Sequence, residues 1–305
     1  MKRLLLCGGA LALLPVAAAY GCYRSAFCVS RKTDIHRLPR SKQYDPLRPQ
    51  MKALIEQAER IVPTRDVTIR SRDGLRLHAR YYETAVGAPV HILFHGYRSS
   101  GLRDFSGGLP LALRGGNNVL LIDQRAHGES QGRCLTFGVL ERFDCLDWAN
   151  YAAATFGGDI VLVGLSMGAA TVLMASELPL PPNVKGIIAD CGYTSPEAII
   201  RTVIRSRKRR DGLTYALTRL GAKWFGRFDL ESAAAVTALR RCRVPVLLLH
   251  GEADRFVPCE MSRENYAACA SRKTLFTVAG APHGASYLVD PEGYTAAVRD
   301  FLASL

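Results

Sequence analysis

Five short runs of this chain are apolar through their centres with no polar alternation: Val90–Phe94, Asn118–Asp123, Asp159–Gly164, Lys185–Asp190 and Val244–His250. Successive side chains of a strand point to opposite faces, so such runs are strands buried on both sides. Helices must then cover each face of a parallel sheet, and the intervening stretches Val139–Thr155, Met167–Leu178 and Pro291–Ser304 are long enough to be crossover helices. Tyr294, Ala297, Val298 and Leu302 place an apolar stripe on the last of them. Ahead of these runs, Val67–Arg70 and Leu75–Tyr82 do alternate, and Arg72-Asp73-Gly74-Leu75 joins them as a hairpin with one wet face. A more mixed strand, Lys273–Gly280, closes the series. The expected fold is α/β: a doubly wound, mostly parallel, eight-stranded sheet that starts with an antiparallel hairpin.

One interval breaks the alternation. Gly192 to Arg243 is longer than a crossover needs and is read as a small helical cap inserted over the strand ends, within a domain spanning 66–305. It contains Arg201–Arg210, with six bases and no acid. That run reads either as a solvated face or as a rim that attracts an acidic substrate or anionic lipid. With 48% hydrophobic and 22% charged residues among 305, disorder, collagen and coiled coil are excluded as the dominant state. The nine cysteines include no C-x-x-C pair, so zinc ribbons and thioredoxin-type sites have no support. A net charge of +13 favours anionic surfaces or substrates. No nucleic acid is expected as a partner.

At the amino terminus, Met1-Lys2-Arg3 precedes an uncharged stretch, Leu4 to Tyr23. Residues 1–23 read as an uncleaved membrane anchor or a cleaved signal peptide, with Ala17-Ala18-Ala19 as the small residues. A lipoprotein signal ending at Cys22 fits less well, and a buried core helix is disfavoured by the terminal position. Either favoured reading puts the protein at a membrane or outside the cytoplasm. Bases on both sides, Lys2 and Arg3, then Arg24, Arg31 and Lys32, leave orientation open. Residues 24–65, basic and carrying Pro39, Pro46 and Pro49, are expected to be a linker.

The sharpest chemical signal is Gly164-Leu165-Ser166-Met167-Gly168, where an apolar strand meets a helical stretch. Gly-x-Ser-x-Gly is weak alone, but at a strand-to-helix turn it forces the serine into a strained conformation that lifts Oγ above the sheet. The Met167 amide, at the helix start, then faces developing negative charge. A serine nucleophile needs a base and a carboxylate to orient that base. His283, in Ala281-Pro282-His283-Gly284, and Asp254, in His250-Gly-Glu-Ala-Asp254, both leave the carboxyl ends of parallel strands. His250 is expected to be packed or hydrogen-bonded at a strand end. His95 is expected to shape a loop whose Tyr97 amide supplies the second oxyanion donor.

Taken in order, Phe94-His-Gly-Tyr97, Asp123-Gln-Arg-Ala-His-Gly-Glu-Ser130, Gly164-Leu-Ser-Met-Gly168, His250-Gly-Glu-Ala-Asp254 and Pro282-His-Gly284 resemble the α/β-hydrolase superfamily. Within it, the chain is most similar to bacterial membrane-anchored hydrolases of the BEM46-like and serine aminopeptidase-like branches. The resemblance implies an α/β-hydrolase fold with Ser166 as nucleophile, Asp254 as orienting acid and His283 as general base. It makes Arg125–Ser130 a structural loop. Serine at the elbow argues against dehalogenases and epoxide hydrolases, and Tyr97 after His95-Gly96 disfavours lipases of the His-Gly-Gly-Gly type. The implied chemistry is acyl transfer from an ester, thioester or amide, with no metal or organic cofactor. Peptidase, acyltransferase and non-catalytic binding readings stay open. The expected partner is a small acyl substrate, apolar or lipid-like if the cap residues Tyr193, Tyr215, Leu217, Trp224 and Phe225 line its pocket rather than the cap's own core.

Overall fold

The computed structural model describes residues 2–29 and 34–305, the side chains of residues 2–13 excepted. Eight strands form one sheet: β1 (Arg65–Arg70), β2 (Arg76–Tyr82), β3 (Val90–Phe94), β4 (Asn118–Asp123), β5 (Ile160–Leu165), β6 (Val184–Asp190), β7 (Val246–Gly251) and β8 (Lys273–Val278). Their spatial order is β1-β2-β4-β3-β5-β6-β7-β8. β2 is antiparallel to both β1 and β4, and every later pairing is parallel. This is the mostly parallel sheet with a leading hairpin that the apolar runs require.

The helices, in chain order, are α1 (Lys2–Phe27), α2 (Arg48–Glu59), α3 (Gly101–Asp104), α4 (Gly108–Arg114), α5 (Glu141–Phe156), α6 (Met167–Ala175), α7 (Pro196–Ser206), α8 (Asp211–Gly221), α9 (Ala235–Leu239), α10 (Glu260–Ala268), α11 (Ser286–Val289) and α12 (Pro291–Ala303). Alternate residues of each central strand feed opposite cores. Ile92, Leu120, Leu162, Ile187 and Leu248 pack on the face that holds α5 and α6. Leu93 and Leu121 pack with Leu109 of α4, and Val161, Ile188 and Leu247 with Phe301 of α12. Both faces are therefore dry, which is why the runs lack polar alternation.

The cap is built from α7, α8, a single π-helical turn at Ala222–Gly226, and α9. It has a component from outside that interval. The second half of α1 lies against α8, with Ala19, Tyr23 and Phe27 buried one turn apart. Gly221 permits the approach, since a Cβ there would collide with the Ala19 carbonyl. Phe27 packs edge-on to both Phe137 and Phe228, at 5.7 and 5.2 Å between centroids. The backbone at Cys28 then pairs with that at Cys134 as an isolated antiparallel β-bridge, both thiols being free.

This corrects the expectation of a membrane anchor or signal, and with it the membrane-anchored or extracytoplasmic location. Among the described residues no helix is long and apolar enough to cross a membrane. The apolar face of α1 from Ala19 onward is occupied by protein core instead. Met1, Arg31, Lys32 and the side chains of Lys2, Arg3 and Leu4 lie outside the described residues.

Where a basic linker was expected at 24–65, the chain is structured over much of its length. A 3-10 turn (Lys42–Leu47) leads into α2, burying Tyr44, Ile55 and Ala58. The prolines do not prevent this, because Pro49 occupies the first turn of α2, where no backbone donor is needed.

Candidate active site

Ser166 follows β5 directly and caps α6 with φ 56° and ψ −112°, a left-handed turn that costs a non-glycine residue strain. The strain persists because its neighbours allow no relaxation. A Cβ on Gly164 would collide with Gly168, and a Cβ on Gly168 would collide with the Phe94 and His95 carbonyls. The Ser166 amide donates to the Asp190 carbonyl at 2.8 Å, tying the turn to β6.

The loops after β7 and β8 bring the other two residues to it. His283 Nε2 lies 2.9 Å from Ser166 Oγ, and His283 Nδ1 lies 2.6 Å from Asp254 Oδ2. An ionised carboxylate can only accept, so Nδ1 carries the hydrogen and Nε2 is free to accept from the serine hydroxyl. Burial alone would raise the Asp254 pKa. Hydrogen bonds from His250 and His283, the charge of His283 and the Val257 amide outweigh that, and hold it well below the usual carboxylate range. The amides of Phe256 and Val257 donate to Asp254 Oδ1 at 2.8 and 2.9 Å. His250 Nε2 faces two acceptors, Asp254 Oδ2 at 3.2 Å and the Val257 carbonyl at 2.9 Å, so it is the protonated nitrogen. Its Nδ1 meets Ser262 Oγ at 2.6 Å. His250 is thus the hydrogen-bonded residue expected at that strand end, and it also braces Asp254.

Met167 is the first residue of α6. Tyr97 follows Gly96, whose absent Cβ would sit 3.3 Å from Ser166 Cβ, so this loop runs directly beside the serine. Three groups shape it. The Gly96 amide donates to Asp104 Oδ2 at 2.7 Å, and Ser99 Oγ donates to the other oxygen of that carboxylate. The Gln124 amide donates to His95 Nε2 at 3.2 Å, which leaves Nδ1–H to donate to the Gly96 carbonyl at 2.9 Å. His95 therefore shapes the loop as its place in the sequence implies, whereas Asp104 carries no local signal.

Arg125–Ser130 is structural. The Arg125 guanidinium is buried in a bidentate pair with Asp144, both bonds 2.7 Å, and reaches Asp73 at 2.9 Å. His127 packs edge-on to His95, 4.8 Å between centroids.

Two cavities meet at Ser166. One, of about 380 Å³, is mostly apolar and lies under the cap. Ile199, Ile200, Val203 and Ile204 of α7, with Phe137 and Tyr193, form one side; Ala18, Gly21, Cys22, Ser25 and Ala26 of α1 form the other. Of the five cap residues singled out as pocket candidates, only Tyr193 lines it. Tyr215 is buried with its hydroxyl on Glu231, and Trp224 and Phe225 face outward, Phe225 against Tyr20. The second cavity, of about 470 Å³, lies between the triad and the segment around Tyr44 and α2. At its base is Asp190, with Oδ2 accepting from Tyr294 at 3.2 Å and Oδ1 without a hydrogen-bond partner among the described residues. Burial raises that carboxyl to about 6. Tyr97 and Phe256 border both cavities.

Cys191, Asp254 and His283 place ligating atoms within 4.8 Å of one another, the geometry a metal could use. Burial keeps the Cys191 thiol protonated, and Asp254 and His283 are committed to each other, so the set is suited to proton transfer rather than to a cation. The described cysteines are all free.

Fold and site together define the class. The chain belongs to the alpha/beta hydrolase family, whose model matches residues 92–297. Similar proteins include an uncharacterized protein, YqkD, of Bacillus subtilis (strain 168), 24% identical over 62% of this chain. The match covers 63% of YqkD, less than two thirds of its length. A bifunctional esterase/perhydrolase, DCH, of Acinetobacter calcoaceticus is 26% identical over 65% of this chain and 86% of its own. Among solved structures, the Pyrococcus furiosus esterase Pf2001 superposes with a TM-score of 0.64 at 23% identity, covering 79% of this chain and 90% of that one. At that identity the likeness shows the fold.

Proposed function

We propose that the protein is a serine hydrolase that cleaves carboxylic esters through an acyl-enzyme intermediate. The observation that carries this reading is the unbroken chain of hydrogen bonds from Ser166 Oγ through His283 to Asp254. As Oγ attacks the carbonyl carbon, His283 Nε2 takes its proton, and Asp254 stabilises the imidazolium that forms. The Tyr97 and Met167 amides receive the oxyanion. His283 returns the proton to the departing alkoxide, which leaves through the cavity beside Tyr44. Water, deprotonated in turn by His283, then attacks the acyl group held under the cap and frees the acid. The names of DCH and Pf2001 are consistent with an ester as the scissile bond.

The test is hydrolysis of a p-nitrophenyl ester series by the full chain beside Ser166→Ala, with fluorophosphonate labelling of both. Ester turnover and labelling are expected to depend on Ser166, with a loss in kcat of at least about a thousandfold on substitution. Turnover that survives Ser166→Ala overturns the proposal. Labelling without ester turnover moves the scissile bond to an amide.

A further inference from the structure

We infer that the cavity under the cap takes an acyl group whose far end carries a second anionic group, a carboxylate or a phosphate, received by Arg207 and Arg209. The inference rests on Ser166 being the acyl-transfer nucleophile, because it assigns the other end of the chain that Ser166 attacks.

The basic run Arg201–Arg210 is not uniform in the folded protein. Arg201 is paired with Glu197 at 2.8 Å and with Asp211 at 3.2 Å, and Arg205 is paired with Asp211 at 2.7 Å. The two pairs to Asp211 tie α7 to the start of α8, and together the two arginines neutralise Glu197 and Asp211. Arg207 and Arg209 are exposed and form no ion pair among the described residues, and both line the cavity. Its remaining charged lining residue is Arg98, which donates to the Ser25 and Cys28 carbonyls at 2.8 Å and so fastens α1. Among the described residues, no Asp or Glu lines the cavity. Arg207 is also near enough for its charge to act on the Tyr97 phenol, which donates to the Ala26 carbonyl of α1 at 2.8 Å.

The cavity therefore has the nucleophile at one end, the isoleucines and valine of α7 along its side, and uncompensated guanidinium groups where α7 ends. A neutral acyl chain gains from the apolar wall but leaves both cations unanswered. A chain ending in an anion buries the same methylenes and meets planar forks whose geometry suits carboxylate or phosphate oxygens.

The experiment compares the full chain with its Arg207→Ala/Arg209→Ala variant. Substrates are p-nitrophenyl monoesters of a homologous series of alkanedioic acids, the matching p-nitrophenyl alkanoates, and esters of matching ω-phosphonoalkanoic acids. The readout is the ratio of kcat/KM for the anionic over the neutral ester of equal length, which cancels differences in active fraction. That ratio should exceed one at the length that spans the cavity. It should fall about tenfold in the double variant, as expected for two solvent-screened contacts, and shrink with added salt. A larger ratio for phosphonate than for carboxylate assigns the phosphate source, and the reverse assigns the carboxylate. A ratio at or below one at every length, or one that survives the double substitution, overturns the inference.

A second measurement needs no turnover. In Ser166→Ala, the thermal midpoint should rise more with an alkanedioate than with the alkanoate of equal length, and the difference should vanish on adding the double substitution. Equal shifts overturn the anionic assignment. Should Ser166→Ala instead keep full esterase activity, the ester reading fails by itself while this binding comparison still decides the cavity.

Discussion

The Tyr44 hydroxyl donates to the main-chain carbonyl of His283 at 2.8 Å, across 239 residues of sequence. Burial, with the charge of Asp254 next, raises the Tyr44 pKa far above neutrality, so the phenol remains a donor throughout any working pH. The bond anchors the loop that carries the imidazole. Tyr44→Phe keeps the ring in place and removes only this bond. We expect kcat to fall by about three- to tenfold with KM nearly constant, because a neutral hydrogen bond is worth about 1 kcal/mol. Steady-state kinetics on a neutral ester provides the check, and an unchanged kcat would show that the loop is held elsewhere.

Gly168→Ala should abolish the fold rather than merely the activity. The new Cβ would overlap the Phe94 and His95 carbonyls, and both belong to the backbone at the end of a central strand. Nothing flexible can move aside, so destabilisation should exceed about 4 kcal/mol. Soluble yield and the circular-dichroism melting curve test this, against Gly212→Ala, where a Cβ meets open space.

Gly21→Phe should shorten the preferred acyl chain without loss of stability. Gly21 lines the cavity from α1, and a Cβ there meets no atom within 4 Å. Glycine is a poorer helix former than phenylalanine by about 0.5 kcal/mol, so the helix itself should tolerate the change. The p-nitrophenyl series reads the shift directly. If the optimum stays put while the protein is folded, α1 does not bound the acyl site.

Acid sensitivity should come in large part from two buried histidines. Burial holds His91 down at about 4, and burial with the neighbouring His95 holds His127 down at about 3. Both lie below the unfolded value of about 6.5, so on acidification the unfolded chain takes up protons first. Stability is fully present above about pH 6.5 and is lost as pH falls toward those folded values. His78 works in the opposite sense. Its hydrogen bond to Asp123 outweighs burial and raises its pKa, so its contribution is full below about 6.5 and is lost as pH rises through the folded value. His91→Leu should flatten the acid slope by up to about 1.4 kcal/mol per pH unit between roughly pH 4 and 6.5. Urea unfolding across that range checks it, and an unchanged slope would mean that His91 is protonated in the folded state.

Much of the fold was legible because it is written locally. Each strand announces itself by apolarity on both faces, and the serine turn by glycines that no other residue can replace. The order of Ser166, Asp254 and His283 along the chain, each just past a strand end, was enough to nominate them together. His95 and the Arg125–Ser130 loop were likewise readable as shaping elements, since both follow strand ends next to the elbow.

The amino-terminal helix, with its uncharged residues 4–23, shows where local reading runs out. An uncharged stretch with alanines, glycines and leucines has the same appearance whether its surroundings are lipid or protein. What distinguishes them is the partner of Ala19, Tyr23 and Phe27, and that partner is α8 with Phe137 and Phe228, more than 100 residues further on. Tyr44, Asp104 and the split of the basic run into paired and unpaired arginines were hidden for the same reason. Read locally, the sequence carries the doubly wound sheet and the strained turn at Ser166, because backbone sterics and side-chain periodicity act over a few residues; it nominates Asp254 and His283 only by their places after strand ends. Only the folded chain shows that the amino-terminal helix walls the cavity under the cap, that a tyrosine from the presumed linker holds the loop carrying His283, and which arginines remain uncompensated. Those outcomes depend on contacts between distant segments, and close packing selects them only when the whole chain is folded.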